Sequence, residues 1–96
     1  MRFEWDEATN QANIRKHGFD FADAEEMYSL PMLITLDDRK EYGEDRWNGI
    51  GMMRGRIVDT AYTEREETIR IISLRKALRH ERTKYEETLR DQLGIH

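Results

Sequence analysis

The hydrophobic period of this chain changes twice, and the order of those changes restricts the fold it can adopt. Apolar residues recur at helical spacing up to the only proline, Pro31. Beyond it they alternate with polar residues, as in half-buried strands, until about Ser73, where helical spacing returns. Helices on both sides of a run of strands predict an α+β fold in which helices pack on one antiparallel sheet.

Two helices are predicted before the proline. Asp6 is suitably placed as an N-cap, and basic residues up to His17 followed by Gly18 form a strong helix stop. We therefore expect the first helix to end at about His17. Asp20 is a second candidate N-cap, and the residue before a proline disfavours helix, so the second helix should end near Ser29.

Three or four antiparallel strands are predicted from the alternating segment. They are Met32–Leu36, Arg46–Met53, Arg56–Thr63 and Thr68–Leu74. Gly55 supports a tight hairpin turn, while Gly49 and Gly51 either weaken their strand or admit a close neighbour. Upstream, Phe3 and Trp5 alternate with polar residues, which indicates either one very short extra strand or an anchoring arm.

The C-terminal segment is predicted to be a single helix. It should run from just after Ser73 to about Leu93, with Gly94 as its stop signal.

A length of 96 residues suits one domain, 1–96, with a modest core. The absence of cysteine excludes disulfides and thiolate metal sites. With no apolar stretch long enough for a membrane span or a signal peptide, we expect a cytoplasmic protein without membrane contact.

Charge is distributed unevenly along the chain. A net charge of −4 argues against a simple nucleic-acid binder, because phosphate contacts need cations. However, residues 1–45 hold 12 acidic and 5 basic residues, whereas residues 46–96 hold 8 acidic and 11 basic residues. This asymmetry indicates a basic working face on an acidic remainder. The alternative is a solvated surface whose charges cluster without functional meaning.

Several sequence blocks, in order, resemble the BrnT family of toxins over nearly the whole chain. They are Phe3-Glu4-Trp5-Asp6, Asn13-xx-Lys16-His17-Gly18, Tyr42-Gly43-Glu44, Gly55-Arg56, Tyr62-Thr63-Glu64-Arg65, Arg70-Ile71-Ile72-Ser73-xx-Lys76-Ala77 and Glu81-Arg82-xx-Tyr85-Glu86. The resemblance implies a RelE-like fold and a ribonuclease that halts translation without a metal or cofactor. It also implies a hetero-oligomer with a neutralising BrnA-like antitoxin, through which the complex contacts operator DNA.

Metal-free RNA cleavage requires groups that move protons and groups that stabilise the charged phosphate. Arginine suits the second task because its planar guanidinium group can donate two hydrogen bonds at once to the oxygens of a phosphate. The candidate catalytic residues are Arg46, Glu64, Arg65, Arg75, Arg79 and His17. The candidate RNA-binding residues are Arg56, Arg70, Arg82, Tyr62 and Tyr85.

Each candidate also has an ordinary structural interpretation. Glu64 could act as a base or hold Arg65, or it could belong to a solvated hairpin tip. His17 suits acid–base chemistry but also complements the dipole at a helix C-terminus. The two tyrosines could stack on bases or simply fill the core. The arginines could form surface ion pairs with neighbouring acids.

Two further interpretations compete with the enzyme. The same fold could be a non-catalytic scaffold on which an antitoxin folds, an alternative that the net charge favours slightly. A direct DNA-binding regulator is weaker, because the first two helices are acidic and supply no basic recognition helix. Asp37, Asp38 and Glu41 could bind a divalent cation, but without a histidine partner they are interpreted as an acidic turn.

Overall fold

The computed structural model describes residues 1–41, 43–92 and 94. Within them the chain forms strands β1 (Arg2–Glu4), β2 (Leu33–Leu36), β3 (Trp47–Met53), β4 (Arg56–Arg65) and β5 (Thr68–Lys76). Helix α1 spans Glu7–His17 and helix α2 spans Arg79–Gln92, while two 3₁₀ helices cover Phe21–Asp23 and Glu25–Ser29. Tyr42, His96 and the predicted helix end at Leu93 lie outside the described residues.

The described strands form one mixed sheet in the order β1-β5-β4-β3-β2. β1 pairs parallel with β5, placing Phe3 opposite Ile69, and the other neighbours are antiparallel. The alternation at Phe3 and Trp5 therefore marks a real edge strand. The expected RelE-like arrangement, with two N-terminal helices and an antiparallel sheet of three to four strands, is wrong: the sheet is mixed and five-stranded, with one α-helix at each end of the described chain.

Capping residues fix α1 as the sequence predicts. The Asp6 carboxylate accepts hydrogen bonds from the backbone N–H and the hydroxyl of Thr9, at 2.9 and 2.8 Å. At the other end Gly18 adopts φ 79° and donates its N–H to the carbonyl of Ile14. Both caps depend only on neighbouring residues, so local sequence is sufficient to place them.

The second predicted helix is instead two short 3₁₀ helices. Asp20 caps the first of them, accepting from the N–H of Ala22 at 3.0 Å. Phe21, Ala24 and Met27 are completely buried and recur at every third residue. A 3₁₀ helix has three residues per turn and places such a series on one line, whereas an α-helix would rotate it away from the sheet. Packing of this stripe explains the departure.

β5 continues beyond the predicted start of the final helix. Lys76 pairs with Val58, and the N–H of Ala77 donates to the carbonyl of Ile57 at 3.1 Å. These cross-strand bonds hold the chain extended until α2 begins at Arg79. The helix start is fixed by the Glu81 carboxylate, which accepts the N–H of Leu78 at 2.7 Å.

The sheet has two different faces. Residues paired across antiparallel strands lie on the same side, and successive residues alternate. Val58, Thr60 and Tyr62 point toward the 3₁₀ helices, where the Tyr28 hydroxyl is 2.8 Å from that of Thr60. We call this side the core face. The opposite side, which we call the arginine face, carries Asp59, Thr63, Arg65, Arg70 and Arg75.

The two glycines of β3 admit a close neighbour, one of the two alternatives that the sequence leaves open. A Cβ atom at Gly51 would lie 2.8 Å from Cγ of Met32, and one at Gly49 would lie 3.1 Å from its sulfur. The Met32 side chain thus lies directly over the backbone of β3.

Replacing Gly51 by alanine should lower the free energy of unfolding by about 1–3 kcal/mol, because the Met32 stem must move out of a packed layer. Urea unfolding measures the change. Gly49→Ala is the matched control: its Cβ would lie 3.1 Å from the Met32 sulfur and 3.3 Å from Cγ2 of Thr60, both farther than the 2.8 Å at Gly51, so its cost should be smaller. Equal stability of Gly51→Ala and the parent chain would contradict this packing.

Candidate functional site

An ion-paired cluster joins β4, β5 and the start of α2 on the arginine face. Arg75 donates to both carboxylate oxygens of Glu81, at 2.8 and 3.0 Å, and lies 3.3 Å from the Asp59 carboxylate. The side chains of Asp59 and Glu81 are only 8% and 14% exposed, whereas that of Arg75 is 35% exposed. The two acids therefore hold one guanidinium at the surface in a fixed orientation.

The two acids of this cluster titrate very differently. Burial, followed by the hydrogen bond with Glu81, raises the pKa of Asp59 to about 7. Burial would also raise the pKa of Glu81, but hydrogen bonds from Arg75, Asp59 and the Leu78 N–H lower it to about 2. Near neutral pH, Glu81 is thus ionised while Asp59 retains a proton for part of the time. A carboxyl group that titrates near neutrality is suited to proton transfer.

A second group of arginines lines a polar pocket at the other end of the same face. Arg65 lies 3.5 Å from Glu44 and Arg70 lies 3.4 Å from Glu4. With Thr63 and Thr68 these residues surround a pocket of about 150 Å³. Both distances are long, and the two arginine side chains are 83% and 47% exposed. Such exposed pairs contribute only about 0–1 kcal/mol and can be exchanged for another anion.

The two groups lie far apart along the strands. Arg65 pairs with Thr68, whereas Arg75 pairs with Asp59, which precedes Arg65 by six residues in β4. At roughly 3.3 Å per residue this separates the two rows by about 20 Å. Arg65 and Arg75 therefore cannot bind one phosphodiester together. Their arrangement along one face instead suits an extended anionic chain.

Two of the predicted site residues, Glu64 and Arg56, lie on the core face. Glu64 pairs with Ile69 and follows the alternation of Tyr62, so it points away from Arg65 despite being adjacent in sequence. Arg56 begins β4 on the same side, with its guanidinium carbon 6.0 Å from the ring centre of Phe19. Neither residue lies on the arginine face.

The two candidate tyrosines are buried. Tyr62 packs edge-on against Tyr28, with ring centres 5.2 Å apart. The hydroxyl of Tyr85 donates to the carbonyl of Pro31 at 3.4 Å and so ties α2 to the start of β2. In this structure both occupy positions that stabilise the fold rather than positions open to a base.

The remaining candidates lie outside the five strands, and Arg46, which precedes Trp47 of the core face, lies on the side of the arginine face. Arg46 immediately precedes β3 and is partly buried, while Arg79 is exposed at the first position of α2 and Arg82 is partly buried one turn later. His17 is exposed in the last turn of α1, where a cation complements the helix dipole. Among the described residues, no hydrogen bond or ion pair joins His17 to either arginine group.

Asp59 and Glu81 are residues of the cluster that are not among the candidates predicted from the sequence. An acid between Val58 and Thr60 in a strand is unusual, because buried acids normally need a partner. Glu81 has a local signal as well, since it is the third residue of a helix, a position where a glutamate commonly accepts the N–H of the residue that precedes the helix. Their contact with each other depends on strand register, which local sequence does not reveal.

Among the described residues, no group of three or more His, Asp or Glu side chains is arranged to hold a metal ion. In the acidic turn, the buried carboxylate of Asp37 binds Nε and a terminal nitrogen of Arg39, at 2.8 and 2.9 Å.

None of the described helices has the length and apolar character that crossing a membrane requires.

Comparison with known proteins confirms the family resemblance. Residues 5–81 match the family model described as the ribonuclease toxin BrnT of a type II toxin–antitoxin system. The crystal structure of the Brucella abortus ribonuclease toxin BrnT is similar, with 33% identity and a TM-score of 0.64 over 82% of this chain and 99% of that one. No match is found among curated proteins. The chain therefore belongs to the BrnT family of ribonuclease toxins of type II toxin–antitoxin systems.

Proposed function

We propose that this chain, acting as one domain, is a metal-independent endoribonuclease that cleaves cytoplasmic RNA and thereby inhibits translation. Family membership supports the activity class. The arginine face supports the location, because it presents Arg65, Arg70 and Arg75 on one side of a rigid sheet. This common orientation on paired strands is the observation that carries the proposal, since cations fixed along one face can bind successive phosphates of an RNA strand.

The RNA backbone would lie along β4 and β5. Phosphates would replace Glu4 and Glu44 at Arg70 and Arg65, where the existing ion pairs are long and exposed. Phosphate oxygens accept pairs of N–H bonds from a guanidinium, so the exchange retains or strengthens the bonding of each arginine. Arg75 would remain held by Glu81 and present its outer edge to the reacting phosphate.

In this scheme Asp59 supplies a proton. A solvent water or hydroxide takes the proton of the 2′-hydroxyl, whose oxygen then attacks phosphorus and forms a cyclic phosphate. The bond from phosphorus to the 5′-oxygen breaks, and this oxygen must gain a proton as it leaves. The Asp59 carboxyl lies beside Arg75, and its pKa of about 7 lets it donate near neutral pH. Deprotonation above that pH would remove the donor.

Asparagine at position 59 tests this role, because it retains the shape of the side chain but cannot donate an acidic proton. The Asp59→Asn variant should cleave RNA roughly 100-fold more slowly at neutral pH. The parent enzyme should also lose activity as the pH rises through about 7. Cleavage of a short labelled RNA provides the rates. Glu87→Gln is the control, since it removes an exposed acid of α2 that belongs to neither arginine group. An unchanged rate and pH profile in Asp59→Asn would exclude the role.

We propose that a BrnA-like antitoxin forms a hetero-oligomer with the chain and neutralises it by covering the arginine face. The antitoxin would also connect the complex to operator DNA. Hydrogen exchange should show protection of β4 and β5 on binding. Protection confined to α1 and the 3₁₀ helices would contradict this location.

A non-catalytic scaffold is the second candidate function. Its support is that Arg65, Arg70 and Arg75 each already face a carboxylate, so the arginine face is less basic than its sequence predicts. Expression of the chain alone, followed by gel analysis of total RNA, separates the two. Growth arrest with RNA fragmentation supports the enzyme, whereas intact RNA with antitoxin binding supports the scaffold.

A further inference from the structure

Among the described residues, the edge of the sheet at β2 combines backbone groups that no other strand pairs with and exposed apolar side chains. β2 is the last strand in the sheet order and pairs only with β3 among the described strands. Its side chains Ile34 and Leu36 are large and apolar, and both residues are 49% exposed. Edge strands commonly carry a charge or a bulge that prevents pairing with another chain. Leu33–Leu36 carries neither charge nor bulge.

Hydrogen-bond alternation shows which backbone groups face outward. The N–H of Asp37 donates to the carbonyl of Arg46 at 2.7 Å, so this pair directs its polar groups toward β3. In an antiparallel ladder the direction alternates at each residue. Thr35 therefore faces β3 as Asp37 does, and the N–H and C=O groups of Ile34 and Leu36 face away from the sheet.

The side chains of the same two residues share one face. Ile34 pairs with Gly49 and Leu36 pairs with Trp47, which places both on the core face. The 3₁₀ helices cover the middle of that face but leave Ile34 and Leu36 half exposed. The outward backbone groups and the apolar side chains thus belong to the same pair of residues.

We propose that β2 pairs antiparallel with β2 of a second copy of this chain, with Ile34 of one copy opposite Leu36 of the other. A twofold axis at Thr35 places every outward-facing residue opposite another one. Each Ile34–Leu36 pair exchanges two backbone hydrogen bonds, as antiparallel geometry requires. The strand is therefore complementary to itself.

In the same register the side chains of the two copies are also complementary. The aliphatic groups of the two copies form one row on the core face, flanked by Trp47 of each copy. On the other face the two Thr35 side chains, both exposed, lie opposite each other, a favourable cross-strand pair. An uncharged edge of this kind suits a second copy better than it suits a strongly charged partner. Because each strand is short, the dimer should be weak and depend on concentration.

The position of β2 keeps this interface separate from the arginine face. β4 and β5 lie on the far side of β3, so pairing at β2 leaves Arg65, Arg70 and Arg75 uncovered. Dimerisation and RNA cleavage can therefore be measured independently, and failure of either would not affect the other.

Double variants of opposite charge test whether the two β2 strands pair in this register. The Ile34→Lys, Leu36→Lys double variant and the Ile34→Glu, Leu36→Glu double variant each place like charges opposite one another. In sedimentation velocity from micromolar to submillimolar concentration, the parent chain should dimerise. Each double variant should dimerise at least 100-fold more weakly. An equimolar mixture should recover a dimer, since lysines then lie opposite glutamates.

Two further variants control for unfolding and for added charge. Ile34→Pro removes an outward N–H without breaking the ladder to β3, so it should weaken the dimer while circular dichroism remains unchanged. Leu78→Lys charges another exposed apolar residue, at the start of α2, and should not affect dimerisation. A parent chain that remains monomeric, charged variants that still dimerise alone, or a mixture that does not recover would each overturn the proposal.

Discussion

Replacing Arg65 and Arg70 together by alanine should slow RNA cleavage by roughly 100-fold or more and abolish growth arrest. The physical reason is that each arginine would bind a phosphate of the RNA backbone, and each lost charge-assisted contact costs about 1.5–3 kcal/mol, which is roughly tenfold or more in the productive binding of RNA. Stability should hardly change, because both arginines are exposed and their ion pairs with Glu44 and Glu4 are 3.4–3.5 Å long. Cleavage assays on purified protein and growth after induction measure the two effects.

Substitution of the acids that pair with these two arginines provides a second test of the same surface. Glu4→Gln and Glu44→Gln release the same arginines from their carboxylates, so RNA binding should become tighter rather than weaker. Arg15→Ala removes an exposed arginine from α1 and serves as the control for the loss of positive charge. If Arg15→Ala impairs cleavage as much as the double variant does, the arginine face is not the binding surface.

Sequence predicts the fold best where structure is decided locally. Asp6 and Gly18 cap α1 through contacts with residues three or four positions away, and Gly55 turns the β3–β4 hairpin within two residues. The second helix fails as a prediction because burial of Phe21, Ala24 and Met27 against the sheet overrides α-helical preference. These departures follow from packing between segments that are distant in sequence.

The candidate site also combines features that local sequence predicts with features that depend on contacts between distant segments. Alternation along β4 is a local property, and it alone separates Glu64 from Arg65. The orientation of Arg65 and Arg70 toward one side depends on the register Arg65–Thr68 and Thr63–Arg70. The Asp59–Arg75–Glu81 cluster requires that register, the extension of β5 and the start of α2 at once. Local patterns identify the arginines, but only the assembled sheet identifies the acids that hold one of them.

The acidic cluster should make the stability of the fold depend on pH in an unusual direction. The pKa of Asp59 is raised from 3.8 to about 7 by burial and by Glu81, so the folded state holds a proton that the unfolded chain releases. Its stabilising contribution is complete below pH 3.8 and is lost as the pH rises toward 7. Glu81, with a pKa lowered from 4.5 to about 2, contributes fully above pH 4.5 and loses this as the pH falls. The cluster therefore stabilises the protein most at about pH 4 to 5.

Comparison with Asp59→Asn isolates this contribution from that of other acids. The parent chain should lose stability, relative to the variant, as the pH rises from about 5 to about 7. Above that range the difference should be constant, since Asp59 is then ionised in both states. Urea unfolding at a series of pH values gives the free energies, and Glu4→Gln should show no such trend. A difference that is independent of pH would mean that Asp59 is ionised throughout, with Arg75 outweighing burial. In that case the carboxyl would bind the guanidinium but could not donate a proton to the leaving oxygen at neutral pH.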